Sequence, residues 1–222
     1  AWEAMTVLAY LLVTTHDEQD EVRRAGWVYL IASHVAVIAL LSLFLVLGEE
    51  SGGDLRFTAI AAAPRAGSLG ILSLALIGFG IKAGAAGLHV WLPEAHAAAP
   101  AHISALMSGV LVKLGVYGLL RTALLVGAGR SFGAWLMLLG SAGALLGIAL
   151  AVYQRDLKRV LAYSSVENVG IILLALGLGF WARASGKPGL AALAFGAGLL
   201  HVWNHAAMKG LLFLSAGSVL HA

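Results

Sequence analysis

Three proton-exchanging side chains recur at a fixed spacing near the end of the sequence. His201, His205 and Lys209 are each four residues apart in an otherwise apolar segment. On an α-helix this spacing places them on one face, with a drift of about 40° for each step of four residues. A neutral histidine accepts a proton at one ring nitrogen and donates from the other, and a lysine adds a further exchangeable group. The spacing therefore predicts a proton track about 12 Å long.

Two other interpretations of these residues stay open at this point. Histidines four residues apart can ligate zinc, but there is no His-Glu-x-x-His motif, no acidic third ligand nearby and no cysteine in the chain. The histidines can also serve only as hydrogen-bonding groups between packed helices. We predict the proton track and no metal site, with structural hydrogen bonding as the alternative.

Further charged side chains lie inside apolar stretches, where a charge costs about 3 kcal/mol at the bilayer centre and needs a partner, water or a function. Lys82 and Lys113 are far from the start of their stretches. A lysine in apolar surroundings can lose and regain its proton, so we predict a role in proton translocation for both. Snorkelling to the interface is the alternative for Lys113. A functional role and a position at the start of a helix explain the charge of Glu167 equally well.

Two prolines and two glycines interrupt the middle of the sequence. Gly84, Gly87 and Pro93 predict that the apolar stretch around them is a broken helix, and Pro93 and Pro100 bracket a short polar connection. Trp91 is typical of the aromatic belt at a membrane interface. Broken helices mark ion sites in transporters, because their unpaired backbone groups must face water or protein. Four polar side chains at this break are candidates for a supporting or merely interfacial role: His89, Glu94, His96 and His102.

The elements that position these side chains must lie in a membrane. The chain has 222 residues, of which 60% are hydrophobic and 11% charged, against about 25% charged in soluble domains. The 28 glycines suit close approach of helices in lipid. The absence of cysteine excludes disulfides and thiolate-ligated iron–sulfur clusters. The small, dispersed net charge of +3 gives no indication of a nucleic-acid partner.

The hydrophobic pattern predicts an all-α polytopic membrane helix bundle of about seven helices, one of them broken. A crossing takes about 20 apolar residues, and the apolar stretches are too long and too uniform for strands. Lysine and arginine are shared almost equally between the two sides, so the orientation is not set. Residues 1–222 form a single transmembrane domain, interpreted as a piece of a longer protein because both ends are apolar. The helices are predicted near residues 1–14, 25–47, 66–92, 100–120, 131–153, 160–181 and 189–220.

Three blocks of sequence carry a resemblance to a known family. The first runs from Lys82 to Arg121, the second from Asp156 to Ser165 and the third from His201 to Ser218. They resemble the antiporter-like membrane subunits of respiratory complex I and of Mrp-type cation/proton antiporters, in register over essentially the whole chain. Leu-Pro-Glu-Ala-His, Ser-Ala-Leu-Met-Ser-Gly and Ser-Val-Glu-Asn-Val-Gly are most similar to the large membrane subunit of energy-converting hydrogenases, the hydrogenase-4 and formate hydrogenlyase type.

The resemblance implies roles for individual residues. Glu3 would pair with Lys82 on the broken helix, and Lys113 would connect that pair to the relay at 201–209. The family fold has two inverted five-helix repeats, and this chain would hold most of the first repeat and the start of the second. The matching lysine of the second repeat is expected beyond the present sequence. The family commonly has proline where this chain has Gly87, and glycine also weakens a helix and frees φ.

The predicted function is that of a proton-translocating membrane subunit in a respiratory oxidoreductase complex, either NADH:quinone oxidoreductase-like or an energy-converting NiFe hydrogenase. A secondary Mrp-type Na⁺/H⁺ antiporter subunit and a structural membrane anchor of a hydrogenase are the alternatives. The chain itself is expected to hold no cofactor and to carry out no redox chemistry. Its expected partners are the lipid bilayer, other membrane subunits, and peripheral iron–sulfur, hydrogenase or quinone-reductase subunits. The expected location is a bacterial or archaeal inner membrane.

Overall fold

The structure is a computed structural model that describes residues 2–63 and 68–220. Within these residues the chain folds into helices joined by short loops, and no strand is present. The predicted all-α class is therefore confirmed. Four helices among the described residues are long and apolar enough to cross a membrane, so the chain is a multi-pass membrane protein. They are Asp20–Glu50, Ala101–Leu125, Arg130–Tyr153 and Leu157–Ala184.

Each predicted apolar stretch contains a helix in the structure. The stretch at 100–120 corresponds to one continuous helical rod, Ala101–Leu125, which includes a π-helical segment at Met107–Leu111. The helices are α1 Trp2–Val13, α2 Asp20–Glu50, α3 Phe57–Ala62, α4 Leu69–Ala83, α5 Trp91–Ala98, α6 Ala101–Leu106, α7 Val112–Leu125, α8 Arg130–Tyr153, α9 Leu157–Ala184 and α10 Pro188–Leu220.

Several predicted boundaries need correction. The second helix was predicted to begin near residue 25, but α2 begins at Asp20, where the acidic Asp20 and Glu21 favour a helix N-terminus. The short polar connection expected between the prolines is α5, because Pro93 lies in its first turn, where proline fits without loss of a hydrogen bond. The short α3 was not predicted. Residues 66–67 of the third predicted stretch lie outside the described residues.

The predicted helix break is present and has a clear local cause. Helix α4 ends at Ala83, and Gly84 and Gly87 both adopt positive φ, at 71° and 78°. A side chain at Gly84 would also collide with Leu92, since an added Cβ would lie 2.4 Å from its Cδ1. The indole Nε1 of Trp91 donates to the Ile81 carbonyl at 2.7 Å, so part of the broken backbone is satisfied by a buried side chain.

The surface is apolar, and several charged or ionisable side chains are buried among the hydrophobic residues of the core. Large apolar side chains lie on the outside, where Leu45 is 74% exposed and Trp203 76%. By contrast, Lys82 is 1% exposed, and Lys209 and His205 are 0% exposed. Apolar side chains on the outside, with the ionisable groups held inside the bundle, are the arrangement expected for helices in lipid.

Glycines bring the helices close enough to organise that interior. Between α8 and α9, an added Cβ at Gly140 would lie 2.4 Å from the Leu174 backbone nitrogen. Between α7 and α4, an added Cβ at Gly115 would lie 2.5 Å from the Ala83 backbone nitrogen. These backbone contacts are typical of membrane helix packing, and the second one sets the spacing of the two helices that carry Lys82 and Lys113.

Candidate functional site

Lys82 occupies the last turn of α4, immediately before the break, and its side chain points into a cage of hydroxyl groups. Its Nζ donates to Tyr29 Oη at 2.8 Å and to Thr6 Oγ1 and Ser33 Oγ, both at 3.3 Å. All three partners are buried, Thr6 on α1 and the other two on α2. An ammonium group has three donors, so this cage satisfies every one of them.

The hydroxyl cage suits a lysine that changes its protonation state. A hydroxyl can donate or accept a hydrogen bond by rotating about its C–O bond, so the same three groups can solvate an ammonium or a neutral amine. A buried carboxylate would instead favour the charged form alone. Among the described residues, Lys82 forms no ion pair with a carboxylate. The cage therefore stabilises the buried lysine without fixing its charge.

Glu3 lies near this cage but does not contact Lys82. Its carboxylate oxygen is 3.2 Å from Nε2 of His34, and the two side chains are 47% and 52% exposed. Glu3 is close enough to Lys82 to act on it electrostatically. The ion pair that the resemblance implied is thus replaced by a Glu3–His34 contact, because the hydroxyl cage already occupies all three donors of the lysine.

A second polar cluster joins α7 to α10. Lys113 Nζ lies 2.8 Å from Nδ1 of His205, and it also donates to the backbone carbonyl of Ser108. Ser108 belongs to the π-helical segment, a distortion of the regular hydrogen-bond pattern that occurs frequently at functional sites. Lys113 therefore points into the bundle, and the snorkelling alternative does not apply to it.

The three predicted relay residues on α10 face inward, and each contacts α7 or α9. Lys209 Nζ donates to the Leu161 carbonyl at 2.8 Å and to the hydroxyl of Ser164. The rings of His201 and His205 are parallel within 6°, with centroids 6.4 Å apart. The predicted shared face is therefore present, and it turns toward protein.

His201 at the start of the track is linked to α9 by a side-chain amide. Its Nε2 lies 3.0 Å from Asn168 Oδ1, and Asn168 Nδ2 donates to the Ser164 carbonyl at 2.7 Å. An amide oxygen only accepts, so Nε2 of His201 carries the proton when the amide is placed in this way. Asn168 and Ser164 thus connect the two ends of the track through α9.

The two clusters lie on opposite sides of the contact between α4 and α7. Lys82 reaches away from it toward α1 and α2, whereas Lys113 reaches toward α10. Gly115, two residues after Lys113, faces α4 instead. Direct contact between the two lysines is therefore not part of this arrangement, and a proton passing from one to the other needs intermediate groups.

The remaining candidates near the break separate into different environments. Glu94 forms two hydrogen bonds with Arg159, at 2.8 and 3.0 Å, and His89 packs edge-on against Tyr163. These four residues line a cavity of about 490 Å³. His102 lies on α6 and is exposed.

Two further candidates lie within the helix bundle. Glu167 is half-buried ten residues into α9, about 15 Å along it, so the helix-start interpretation no longer suits it. It packs against Gly147 and, within the described ranges, forms no ion pair. His96 is completely buried and stacks on Phe213 at 4.7 Å.

The uncharged partners of the lysines were not predicted. Tyr29 and Ser33 are four residues apart in a long stretch without charged residues, which is a detectable signal of a polar helix face. Thr6 and Ser164 carry no comparable signal, because single hydroxyl residues are common in membrane helices.

Comparison with known proteins gives consistent matches over the whole chain. The model of a family described as NADH:quinone oxidoreductase/Mrp antiporter, transmembrane, matches residues 1–222. Hydrogenase-4 component B of Escherichia coli (strain K12) is 40% identical over 225 residues, covering 99% of this chain and 33% of that protein. Formate hydrogenlyase subunit 3 of the same strain is 46% identical over 147 residues, covering 66% of this chain and 24% of that protein.

A solved structure matches the fold. One chain of the membrane-bound sulfane sulfur reductase, described as an archaeal respiratory membrane complex, superposes with a TM-score of 0.83 and 26% identity. The match covers 98% of this chain and 44% of that chain. The present chain thus spans a third or less of the two curated relatives, at 33% and 24% of their lengths.

Proposed function

We propose, since the chain belongs to the NADH:quinone oxidoreductase/Mrp antiporter transmembrane family, that it forms the proton-conducting part of a membrane subunit in a respiratory redox complex. The family resemblance drawn from the three sequence blocks is confirmed by the match over residues 1–222. The relatives named as hydrogenase and formate hydrogenlyase components support the energy-converting hydrogenase type of complex.

The observation that carries the proposal is the hydroxyl cage around Lys82. A lysine that is 1% exposed and whose hydrogen bonds, within the described residues, all go to three hydroxyls can be stabilised in either protonation state. A purely structural lysine would be expected to have a carboxylate partner, since an uncompensated buried charge is costly. The cage supports a group that gains and loses a proton during turnover.

The second cluster supplies the continuation of the path. A proton on Lys113 passes to Nδ1 of His205, which then releases a proton from Nε2, so that the ring transfers one proton without net gain. Lys209 accepts a proton as a neutral amine and holds it among the Leu161 carbonyl and the Ser164 hydroxyl. Water connects Lys82 to Lys113 around the α4–α7 contact.

The redox chemistry in this proposal takes place on other subunits, and this chain binds no cofactor of its own. Electron transfer there changes the charge next to the subunit and shifts the protonation of Lys82, with Glu3 acting on it electrostatically. The partners are other membrane subunits and peripheral iron–sulfur, hydrogenase or quinone-reductase subunits. The membrane is the inner membrane of a bacterium or an archaeon.

Antiport of sodium is the second candidate, because the matching family includes Mrp antiporters. A sodium site needs several oxygen ligands, and carboxylates are the usual source of the compensating charge. The buried clusters described above are instead centred on lysines, which repel a metal cation. This chemistry favours protons.

The decisive test is turnover-driven proton movement by the full-length protein in its native complex, reconstituted into vesicles. Proton uptake, followed with a pH-sensitive dye, should accompany electron transfer and persist when sodium is replaced by potassium. Electron transfer without proton movement would refute the proposal. Proton movement that requires sodium would support the antiporter instead.

A further inference from the structure

His96 is a completely buried histidine whose ring nitrogens have no protein partner. It lies in α5 and is 0% exposed, and neither Nδ1 nor Nε2 is hydrogen-bonded to another residue of 2–63 or 68–220. Its backbone is held, since the Ser104 hydroxyl donates to the His96 carbonyl at 3.0 Å. Buried polar nitrogens are almost always hydrogen-bonded to protein or to ordered water. Ordered water is therefore the expected hydrogen-bond partner of the two ring nitrogens.

The position of His96 continues the track on α10. Its ring stacks on Phe213 with centroids 4.7 Å apart and planes 16° from parallel. Phe213 follows Lys209 by four residues, which is about 6 Å along the same helical face. His96 thus takes the next place after His201, His205 and Lys209, although it comes from a different helix.

The charged groups that act on His96 electrostatically are Lys209, Lys113 and Lys158. They lie on three different helices, α10, α7 and α9. Lysines can exchange protons with an imidazole, whereas a permanently charged arginine cannot. The surroundings of His96 are those of a proton-exchanging residue.

Lys158 connects this place with one face of the bundle. Its Nζ donates at 2.8 Å to the carbonyl of Ala99, three residues after His96, and its side chain is half-buried. It lies in the first turn of α9, two residues after Asp156, and both Arg155 and Asp156 are exposed. A polar cavity of about 190 Å³ at this face is lined in part by Asp156 and Ala98. Lys158 therefore has the buried end of α5 on one side and an accessible surface on the other.

We propose that His96 is a proton-relay residue that joins Lys209 to Lys158 through water, and so links the buried track to the face formed by residues 154–156. The Lys209 ammonium gives a proton through one water to the free ring nitrogen of His96. The other ring nitrogen releases its proton through a second water to the neutral amine of Lys158. No charge is gained by the ring, and the two nitrogens have exchanged roles.

Stacking on Phe213 permits the His96 ring to return to its starting state after each proton transfer. A rotation of 180° about the Cβ–Cγ bond moves each nitrogen to the opposite edge of the ring and returns the ring to the same plane, so both end states keep the stacking contact. A hydrogen bond from protein to either nitrogen would oppose that rotation, and none is formed within the described residues. The absence of protein partners is thus the property that a resetting relay requires.

The relay rests on the proposed proton-conducting function, and variants of the full-length protein in its native complex separate the two. His96→Gln keeps a hydrogen-bonding end but cannot titrate, and Lys158→Arg keeps the charge and the bond to Ala99 but cannot release its proton. Both should lower proton movement per electron at least about a hundredfold, the low end of what a positioned acid–base group contributes. His102→Gln is the matched control, because that histidine is exposed and outside the track.

Lys209→Ala reports on the proposed function in the same assay. Loss of proton movement in Lys209→Ala with normal movement in His96→Gln and Lys158→Arg would overturn the relay and leave the function standing. Normal proton movement in all three variants would refute both the relay and the proposed proton-conducting function. A density map of the complex should also show ordered water within hydrogen-bonding distance of each His96 nitrogen, and a protein partner there would contradict the relay.

Discussion

Lys113 Nζ and His205 Nδ1 lie 2.8 Å apart, although 92 residues separate the two in the chain. An ammonium only donates, so with Lys113 protonated Nδ1 must be the acceptor and Nε2 must carry the ring proton. That Nε2 is buried and has no partner among the described residues. The pair is thus arranged for a proton to enter the imidazole at one nitrogen and leave from the other.

Substitution of His205 should separate conduction from packing. We expect His205→Gln to lower proton flux sharply with little loss of folded protein, because glutamine keeps a hydrogen-bonding end but cannot titrate. His205→Leu should in addition destabilise the protein by about 1–3 kcal/mol, since Lys113 loses a buried partner. Flux and thermal stability measured on both variants in the complex test this. Unchanged flux in His205→Gln would favour a purely structural histidine.

Substitution of Lys82 should abolish pumping while the complex still assembles. In Lys82→Ala the hydroxyls of Tyr29, Thr6 and Ser33 can bond to water or to backbone, so the fold should survive. Lys82→Arg should also impair pumping, because arginine cannot release its proton. Proton-to-electron ratios and the yield of assembled complex are the measurements. Full pumping by an assembled Lys82→Ala complex would exclude a central role for this lysine.

Removal of a cage hydroxyl should weaken proton movement without removing the lysine. In Tyr29→Phe the ring still packs on Trp91, where the centroids are 5.2 Å apart, but the shortest bond to Lys82 is lost. We expect reduced flux and a loss of about 1–3 kcal/mol in stability, the usual cost of an unpaired buried donor. Tyr10→Phe is the control, because the Tyr10 hydroxyl forms no hydrogen bond within the described residues. Equal effects of the two variants would argue against the cage.

The sequence located the buried ionisable side chains better than the uncharged side chains that surround them. Lys82 and the break were predictable because a charge in an apolar stretch and glycines before a proline are local signals. The hydroxyl cage was not, because Thr6 on α1 meets α2 and α4 only through tertiary packing.

The Glu3–Lys82 contact was implied by family resemblance and not by local pattern. In the structure the Glu3 carboxylate instead lies 3.2 Å from Nε2 of His34. Which carboxylate reaches a buried lysine depends on how far each helix is rotated, and neither periodicity nor composition specifies that rotation. The helix starts were also missed where charged residues begin a helix, as at Asp20, since charge alone is equally typical of loops.

The glycine between the two lysine-bearing helices gives a last test of how the interior is organised. An added Cβ at Gly115 would lie 2.5 Å from the Ala83 nitrogen and 2.6 Å from the Phe79 carbonyl oxygen, and backbone atoms cannot move aside cheaply. Gly115→Ala should therefore force α4 and α7 apart, destabilise the protein by about 1–3 kcal/mol and lower proton flux, because the ends of α4 and α7 position Lys82 and Lys113. Gly196→Ala in α10 is the control, since its added Cβ meets nothing within 4 Å and alanine should stabilise that helix. Thermal unfolding and flux of both variants decide the matter. A Gly115→Ala protein with normal flux would show that the α4–α7 contact does not position the lysines.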